Sequence, residues 1–232
     1  MIICPLYKVA QMSLDMDAKF LMVSTSEVYG RHPEDEVQGQ KESLDLIIPA
    51  KYTVRLEYGV SKALSEIILR NLSLDNNLKY NCIRPFNIVG PSQNDDLGFV
   101  IPRFLRQALD NKPITVYGDG ASKRTFTHVS DIVDSMFAIM ESNAKGEIFN
   151  VGNPNNVITI KELAYKIKSS VESESEVVFV NPKEIFGKDF DEAWNKIPNV
   201  DKIFKTVGWG PKYSLDYIIN ELANLRNNYL VR

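Results

Sequence analysis

The sequence of 232 residues contains few of the residues that define several protein classes. Two cysteines, Cys4 and Cys82, are too few for a disulfide framework, and two histidines, His32 and His128, are too few for a histidine-rich metal centre. The net charge of −3 does not suit a protein that grips nucleic acid through positive charge. Apolar runs are far shorter than a membrane span, and no secretory leader is recognisable. We therefore expect a reduced cytoplasmic protein that binds no nucleic acid, membrane or metal.

The order of the apolar segments predicts an α/β fold. Short β-branched runs alternate with segments of helical periodicity, which is typical of βαβ units around a mostly parallel sheet. Strands are predicted at residues 19–24, 78–84, 113–117, 148–151 and 177–180. Helices are predicted at residues 53–76, 101–111, 132–142, 160–171 and 214–227, with Ser130 or Asp131 and Thr159 as caps. Residues 1–18 are expected to include the end of a further helix, and residues 31–50 to form a loop.

Hydroxyl and carboxylate side chains follow the first predicted strand. Thr25, Ser26 and Glu27 come directly after it, and ligands of open α/β sheets bind beyond the carboxyl ends of the strands. These side chains are therefore candidates for a binding site. The alternative is a strand-to-loop transition in which they bond only to nearby backbone groups.

The next predicted helix carries Tyr58 and Lys62. Their spacing of four residues places a phenol and an ammonium on one helix face. A nearby cation favours the phenolate and suits a tyrosine to act as a general base. The pair is common by chance, and the alternative is a surface contact.

Two polar residues near later strands suit a phosphate group. Asn87 follows the second strand, and Arg124 lies in a loop before the helix at 132–142. Arginine presents a fork of donors to phosphate oxygens, so the two residues are candidates for holding a diphosphate. Otherwise, Asn87 bonds to local backbone and Arg124 lies in solvent.

These features occur in an order that resembles the extended short-chain dehydrogenase/reductase family, and within it the NAD-dependent sugar-nucleotide epimerase/dehydratase group. The resemblance extends from about residue 19 to residue 225. Its motifs are Ser-Thr-Ser-Glu-Val-Tyr-Gly at 24–30, Tyr-x-x-x-Lys at 58–62, Arg-Pro-Phe-Asn at 84–87, Val-Tyr-Gly-Asp-Gly at 116–120 and Arg-x-Phe-x-His-Val-x-Asp at 124–131.

The resemblance implies a role for each candidate residue. Tyr58 matches the tyrosine that removes a proton from a sugar hydroxyl while hydride passes to NAD, and Lys62 matches the lysine that stabilises the phenolate and bonds the nicotinamide ribose. Thr25 matches the hydroxyl that bonds the reacting sugar oxygen. Pro85 lies where relatives approach the nicotinamide. Asn87 and Arg124 match residues that bind the diphosphate, whereas His128 is expected to be structural.

The resemblance leaves the reaction open among epimerisation, decarboxylation and dehydration. Related dehydratases carry Asp-Glu after the threonine, so Ser26 before Glu27 disfavours dehydration. Thr-Ser-Glu also occurs in UDP-glucuronate decarboxylases, in which the glutamate assists. The stretch Gly-Phe-Val-Ile-Pro-Arg at 98–103 and the Phe-Thr-His-Val spelling at 126–129 favour an epimerase acting at C4 of UDP-glucose.

A large element of the family pattern is missing from these residues. No Gly-x-Gly-x-x-Gly turn for the NAD pyrophosphate occurs, which suggests that the first third of the family pattern is absent. The alternative to an enzyme is therefore an inactive fragment that does not bind the cofactor. We expect one unit with a partial Rossmann-like sheet (about 1–90 and 112–150) and a smaller substrate-binding lobe (about 91–111 and 151–232). Full-length relatives commonly pair through a helix bundle that includes the Tyr58–Lys62 helix, so the resemblance implies a homodimer for the full-length protein.

Overall fold

The computed structural model describes residues 2–30, 39–50, 56–94, 98–187 and 195–230. The helices are α1 (Ile3–Asp15), α2 (Leu56–Asn76), α3 (Val100–Leu109), α4 (Val129–Glu141), α5 (Ile160–Ser170), α6 (Pro182–Phe186), α7 (Asp201–Val207) and α8 (Leu215–Leu230). The strands are β1 (Phe20–Val23), β2 (Tyr80–Pro85), β3 (Ile88–Val89), β4 (Ile114–Tyr117), β5 (Lys123–Arg124), β6 (Thr127–His128), β7 (Glu147–Val151), β8 (Ile158–Thr159) and β9 (Val177–Val180).

A three-stranded parallel sheet, in the order β1-β2-β7, positions the predicted site. Side chains alternate across β2, so Tyr80 and Cys82 pack with α1 and α2, whereas Ile83 packs with α4, α7 and β7 on the other face. The carboxyl ends of the three strands lie at one edge, where Val23 is in register with Ile83. This arrangement confirms the predicted mixed α/β fold with a Rossmann-like parallel sheet.

A second core lies among the C-terminal elements. It contains these buried side chains of α3, β4, α5 and α8: Ile101, Phe104, Leu105, Ala108, Ile114, Val116, Leu163, Ala164, Ile167, Leu215, Ile218, Ile219 and Ala223. The strand β4 pairs in parallel with β9 and not with the three-stranded sheet. The sequence expectation places residues 112–150 with the Rossmann-like part, whereas the pairing and core of β4 associate this strand with the C-terminal lobe.

The ends of the helices show which sequence patterns were informative. Thr159 caps α5 as predicted, and Glu162 completes a reciprocal capping box with it. The cap of α4 is His128 and not Ser130 or Asp131, because Nδ1 of His128 accepts a hydrogen bond of 3.2 Å from the Ser130 N–H. The predicted start of the α2 segment at residue 53 and residues 31–38 of the predicted loop lie outside the described residues, whereas residues 39–50 form neither a helix nor a strand, as predicted.

Within the described ranges, none of the helices is both long enough and apolar enough to cross a membrane. In the same part of the chain, no group of three or more histidine, cysteine, aspartate or glutamate side chains could hold a metal ion.

Candidate active site

Thr25 begins the short 3₁₀-helix that follows β1. Its backbone is extended, and its Oγ1 accepts a hydrogen bond of 3.2 Å from the Glu27 N–H. This bond turns the chain sharply at the end of the sheet and places Glu27 on the first turn. The local backbone bond that sequence reasoning offered as an alternative is therefore present, and it also sets the position of Glu27.

The helix α2 approaches this turn closely at Gly59. A Cβ atom on Gly59 would lie 3.0 Å from the carbonyl oxygen of Glu27, so a larger residue would push the helix away. The neighbouring Tyr58 is 46% exposed, which leaves its ring accessible to a ligand. The absence of a side chain at position 59 thus lets the helix bring Tyr58 to the end of the sheet.

Lys62 joins α2 to the same strand end. Its Nζ donates a hydrogen bond of 2.7 Å to the carbonyl oxygen of Val23 and lies 6.0 Å from the centre of the Tyr58 ring. Partial burial lowers the pKa of Lys62. The structure therefore places Tyr58 and Lys62 together at the carboxyl end of β1, on the helix face predicted from their spacing.

A buried ion pair underlies this part of the site. Glu66 and Arg84 are each 3% exposed. Arg84 donates two hydrogen bonds to the Glu66 carboxylate, of 3.0 Å from Nε and 2.6 Å from Nη2, and Ser24 donates a third of 2.5 Å. Glu66 thus fastens α2 to the ends of β1 and β2. Sequence reasoning missed it, although its spacing of four residues from Lys62 continues the same helix face.

Asn87 and Arg124 line a cleft of about 320 Å³ that extends from the end of the sheet to α3. The amide nitrogen of Asn87 donates to the carbonyl oxygen of Thr125 at 2.8 Å, and Nη1 of Arg124 donates to the carbonyl oxygen of Lys123 at 2.8 Å. Glu27 lines the same cleft. The structure therefore brings three of the predicted site residues together.

Lys196 is a site residue that sequence reasoning missed. It is 7% exposed and lines the cleft. Its ammonium donates a hydrogen bond to the carboxylate of Glu27 and forms an ion pair with it. The Lys196 N–H bonds to the carbonyl oxygen of Lys123 at 3.2 Å, so this segment runs beside the loop that carries Arg124. An isolated lysine near the C-terminus has no sequence pattern that predicts such a position.

Pro85 ends β2, in register with Val151. It lies at the same carboxyl edge as Val23 and Lys62, where the sequence predicts the nicotinamide. His128 lies elsewhere: its Nδ1 caps α4, so its Nε2 carries the proton and donates at 2.8 Å to Glu221. These contacts fit the structural role expected for His128.

The chain is similar to known proteins in sequence and in fold. Residues 6–152 match the profile of the NAD dependent epimerase/dehydratase family. A UDP-N-acetyl-alpha-D-glucosaminuronate decarboxylase of Bacillus cytotoxicus is 33% identical over 218 residues, which cover 92% of this chain and 65% of the relative. UDP-glucuronic acid decarboxylase 2 of Arabidopsis thaliana is 34% identical over 202 residues, which cover 85% of this chain and 42% of the relative.

A solved structure shows the same architecture. The UDP-glucose 4-epimerase of Thermotoga maritima, determined with UDP-glucose, superimposes with a TM-score of 0.83 at 25% identity, covering 97% of this chain and 69% of that one. The matched part of the two decarboxylases is 65% and 42% of their length, so this chain spans less than two thirds of each of them. The matched profile extends over more than half of the chain, from α1 to the end of β7. The chain belongs to the NAD dependent epimerase/dehydratase family, whose members are NAD-dependent enzymes that act on nucleotide sugars.

Proposed function

We propose that this chain supplies the catalytic and substrate-binding residues of an NAD-dependent UDP-sugar decarboxylase. The observation that carries the proposal is the pair formed by Glu27 and Lys196 in the cleft that also contains Arg124. Among the residues that the structure describes, the charged ones that line this cleft are Arg103, Arg124, Lys196 and Glu27, three cations and one carboxylate. This excess of positive charge suits a substrate that carries both a diphosphate and a uronate carboxylate.

The chemistry starts at Tyr58 in this proposal. Its phenolate accepts the proton of the sugar 4-hydroxyl, while Lys62 stabilises the phenolate and Thr25 donates a hydrogen bond to the reacting oxygen. When bound beside Tyr58 and Lys62, NAD would supply the acceptor for the C4 hydride and the donor for the later reduction. The C4 ketone is β to the C6 carboxylate, so the C5–C6 bond breaks, carbon dioxide leaves, and the electron pair passes into the enolate. C5 then takes a proton from water.

Lys196 and Glu27 act on the carboxylate in this scheme. The Lys196 ammonium attracts the uronate into the cleft, and Glu27 holds that ammonium in a fixed position. Ser26, at the position where related dehydratases carry aspartate, has no acid group to protonate a departing hydroxyl. The first relatives reported above are decarboxylases, which supports the same assignment.

The residues present fit the nicotinamide end of NAD. Tyr58 is accessible, Lys62 is fixed by its bond to Val23, and Pro85 ends the adjacent strand. Tyr58, Lys62 and Pro85 account for the nicotinamide end of the cofactor. The Gly-x-Gly-x-x-Gly turn that binds the pyrophosphate in dinucleotide-binding folds does not occur in this sequence.

A UDP-sugar 4-epimerase is the second candidate. The superposition on the Thermotoga maritima epimerase and the stretch at residues 98–103 favour it. The same Tyr58, Lys62 and Thr25 would oxidise C4, and the ketone would be reduced from its other face. A neutral hexose, the substrate of such an epimerase, has no uronate carboxylate for Lys196 to attract, so the Glu27–Lys196 pair favours the decarboxylase.

The deciding experiment supplies NAD with UDP-glucuronate or UDP-glucose and follows both carbon dioxide release and the products by NMR. Decarboxylation predicts carbon dioxide and a UDP-pentose from UDP-glucuronate, whereas epimerisation predicts UDP-galactose from UDP-glucose. In either case Tyr58→Phe is expected to abolish turnover while UDP still binds. No turnover, together with no NAD binding by calorimetry, would support the inactive-fragment alternative for this chain.

We also propose that the protein forms a homodimer through α1 and α2. These two helices contact each other, and they expose the apolar side chains of Tyr7, Met12, Leu64, Ile67 and Leu74, with Met16 exposed directly after α1. Exposed apolar side chains on two neighbouring helices are typical of a subunit interface. Cys4 and Cys82 are both free thiols, which fits the reducing conditions of the cytoplasm.

A further inference from the structure

Two polar side chains in the cleft have buried atoms that lack hydrogen-bond partners. Arg103 is 7% exposed, and neither its Nε nor its Nη1 has a partner among the described residues. The buried Oε1 of Gln93 likewise has no hydrogen-bond partner among the residues that the structure describes. Both residues line the same cleft as Asn87 and Arg124. A buried polar group without a partner is rare, and here a donor and an acceptor occur in one cleft.

The surrounding structure fixes the orientation of both groups. Arg103 lies on the first turn of α3, and its guanidinium carbon is 4.1 Å from the centre of the Tyr117 ring on β4. This stacking sets the plane in which its N–H groups point. The Gln93 Nε2 donates to the carbonyl oxygen of Ile88 at 3.2 Å, so Oε1 is the end of the amide left to accept a bond. The cleft therefore offers a fixed donor and a fixed acceptor.

A fixed donor on Arg103 and a fixed acceptor on Gln93 distinguish among the chemical groups of a nucleotide sugar. A diphosphate oxygen can accept a bond from Arg103, but it has no hydrogen for Gln93 and would be repelled by Oε1. The imide edge of uracil has an N3–H between two carbonyl oxygens, so it can donate to Gln93 and accept from Arg103. The aromatic rings of Phe99 and Phe126 also line the cleft and suit a planar base.

We propose that Arg103 and Gln93 recognise the imide edge of a uracil-type base and so determine the nucleotide specificity of the site. This inference rests on the proposed function and adds to it the side chains that read the base. Arg103 donates to a carbonyl oxygen of the base, and Gln93 Oε1 accepts the N3–H. Asn87 and Arg124 are left to bind the diphosphate.

The test is calorimetric binding of three ligands to the 232-residue chain: UDP, its 3-methyluracil analogue, and 2′-deoxy-UDP. Losing one neutral hydrogen bond is expected to weaken binding of the 3-methyl analogue about fivefold to tenfold relative to UDP. The 2′-deoxy analogue should bind like UDP. Because this comparison uses the unaltered protein, it does not depend on whether any variant folds.

Variants then assign the effect to each residue. Gln93→Met should weaken UDP binding and remove the difference between UDP and the 3-methyl analogue, while Arg103→Gln should weaken UDP binding about tenfold or more. Gln11→Met and Arg70→Gln, on exposed positions of α1 and α2, serve as matched controls and should bind like the wild type.

The outcomes separate this inference from the proposed function. Equal binding of UDP and its 3-methyl analogue, or a loss confined to the 2′-deoxy analogue, would overturn base recognition by this pair. An undiminished preference for UDP in Gln93→Met would exclude Gln93. UDP binding without any turnover would refute only the proposed reaction, whereas no binding of any nucleoside diphosphate would refute both.

Discussion

Lys196 donates a hydrogen bond to the carboxylate of Glu27, joining residues that are 169 positions apart in the chain. Both residues line the cleft between the end of the sheet and α3. Lys196 is nearly buried, so its ammonium is held by the carboxylate and shielded from water. This arrangement places a fixed cation beside the residues expected to bind the sugar.

If Lys196 attracts the uronate, Lys196→Met should reduce kcat/KM for UDP-glucuronate about 100-fold, because the carboxylate is no longer held in place. The Kd of free UDP should change little, since UDP has no uronate group. Initial rates and calorimetry measure the two quantities. Lys8→Met, at an exposed position on α1, is the control. An unchanged kcat/KM would show that Lys196 does not act on the substrate.

Arg124→Ala should weaken binding of free UDP about tenfold to 100-fold, because a charge-assisted hydrogen bond to a phosphate oxygen is lost. Calorimetric titration of UDP measures the effect. Arg70→Ala removes an exposed arginine on α2, outside this cleft, and should leave the affinity unchanged. Equal affinities for the wild type and Arg124→Ala would place the diphosphate elsewhere.

Arg84→Met should lower the free energy of unfolding by about 3–5 kcal/mol, because it leaves the buried Glu66 carboxylate without its cation. Urea denaturation measures the change. The double variant Arg84→Met/Glu66→Leu removes both charges and should recover much of the loss. If the double variant were less stable than the single one, the loss would come from packing and not from an unpaired charge.

Glu42→Gln should make stability less dependent on pH. Burial raises the pKa of Glu42 above its usual 4.5, and the hydrogen bond of 2.8 Å from the Asn150 N–H opposes this effect without cancelling it. Because the folded state holds the proton more strongly, this residue's contribution is present below the unfolded pKa and is lost as the pH rises through the folded pKa.

The variant should therefore unfold at a higher urea concentration than the wild type at about pH 7, with a smaller difference at about pH 4. The glutamine that replaces Glu42 keeps an oxygen that can accept the Asn150 bond. Glu141→Gln, at an exposed position on α4, controls for the change in net charge. A difference that grew toward low pH would contradict the assigned direction.

The double variant Leu64→Glu/Ile67→Glu should convert a homodimer into a monomer, because it places two charges on the exposed apolar face of α2. Size-exclusion chromatography with light scattering measures the mass. Phe137→Glu changes a side chain that is 63% exposed on α4 and should leave the dimer intact. Unchanged mass in the Leu64/Ile67 variant, or dissociation only in the Phe137 variant, would place the interface elsewhere.

The local elements followed from the sequence because their causes are local. The period of four residues placed Tyr58 and Lys62 on one face of α2, and the Thr159–Glu162 capping box marked the start of α5. The parallel order of the strands likewise placed Thr25 and Pro85 at one edge of the sheet. Side-chain spacing and strand direction suffice for these predictions.

Contacts between distant segments did not follow from the sequence. The pairing of β4 with β9 depends on the shared core of α3, α5 and α8, and no pattern within β4 distinguishes it from a strand of the main sheet. The contacts of Lys196 with Glu27 and of Arg84 with Glu66 likewise join charged residues that have no distinguishing pattern in the sequence.

The sequence by itself determined the α/β class, the order of the site motifs and the family. Only the tertiary structure decided which charges share the cleft, and it left buried atoms of Arg103 and Gln93 there without hydrogen-bond partners among the described residues. The physical reason is that the free energy of a buried charge or polar atom depends on its neighbours in space. Those neighbours come from segments that only the packed core brings together.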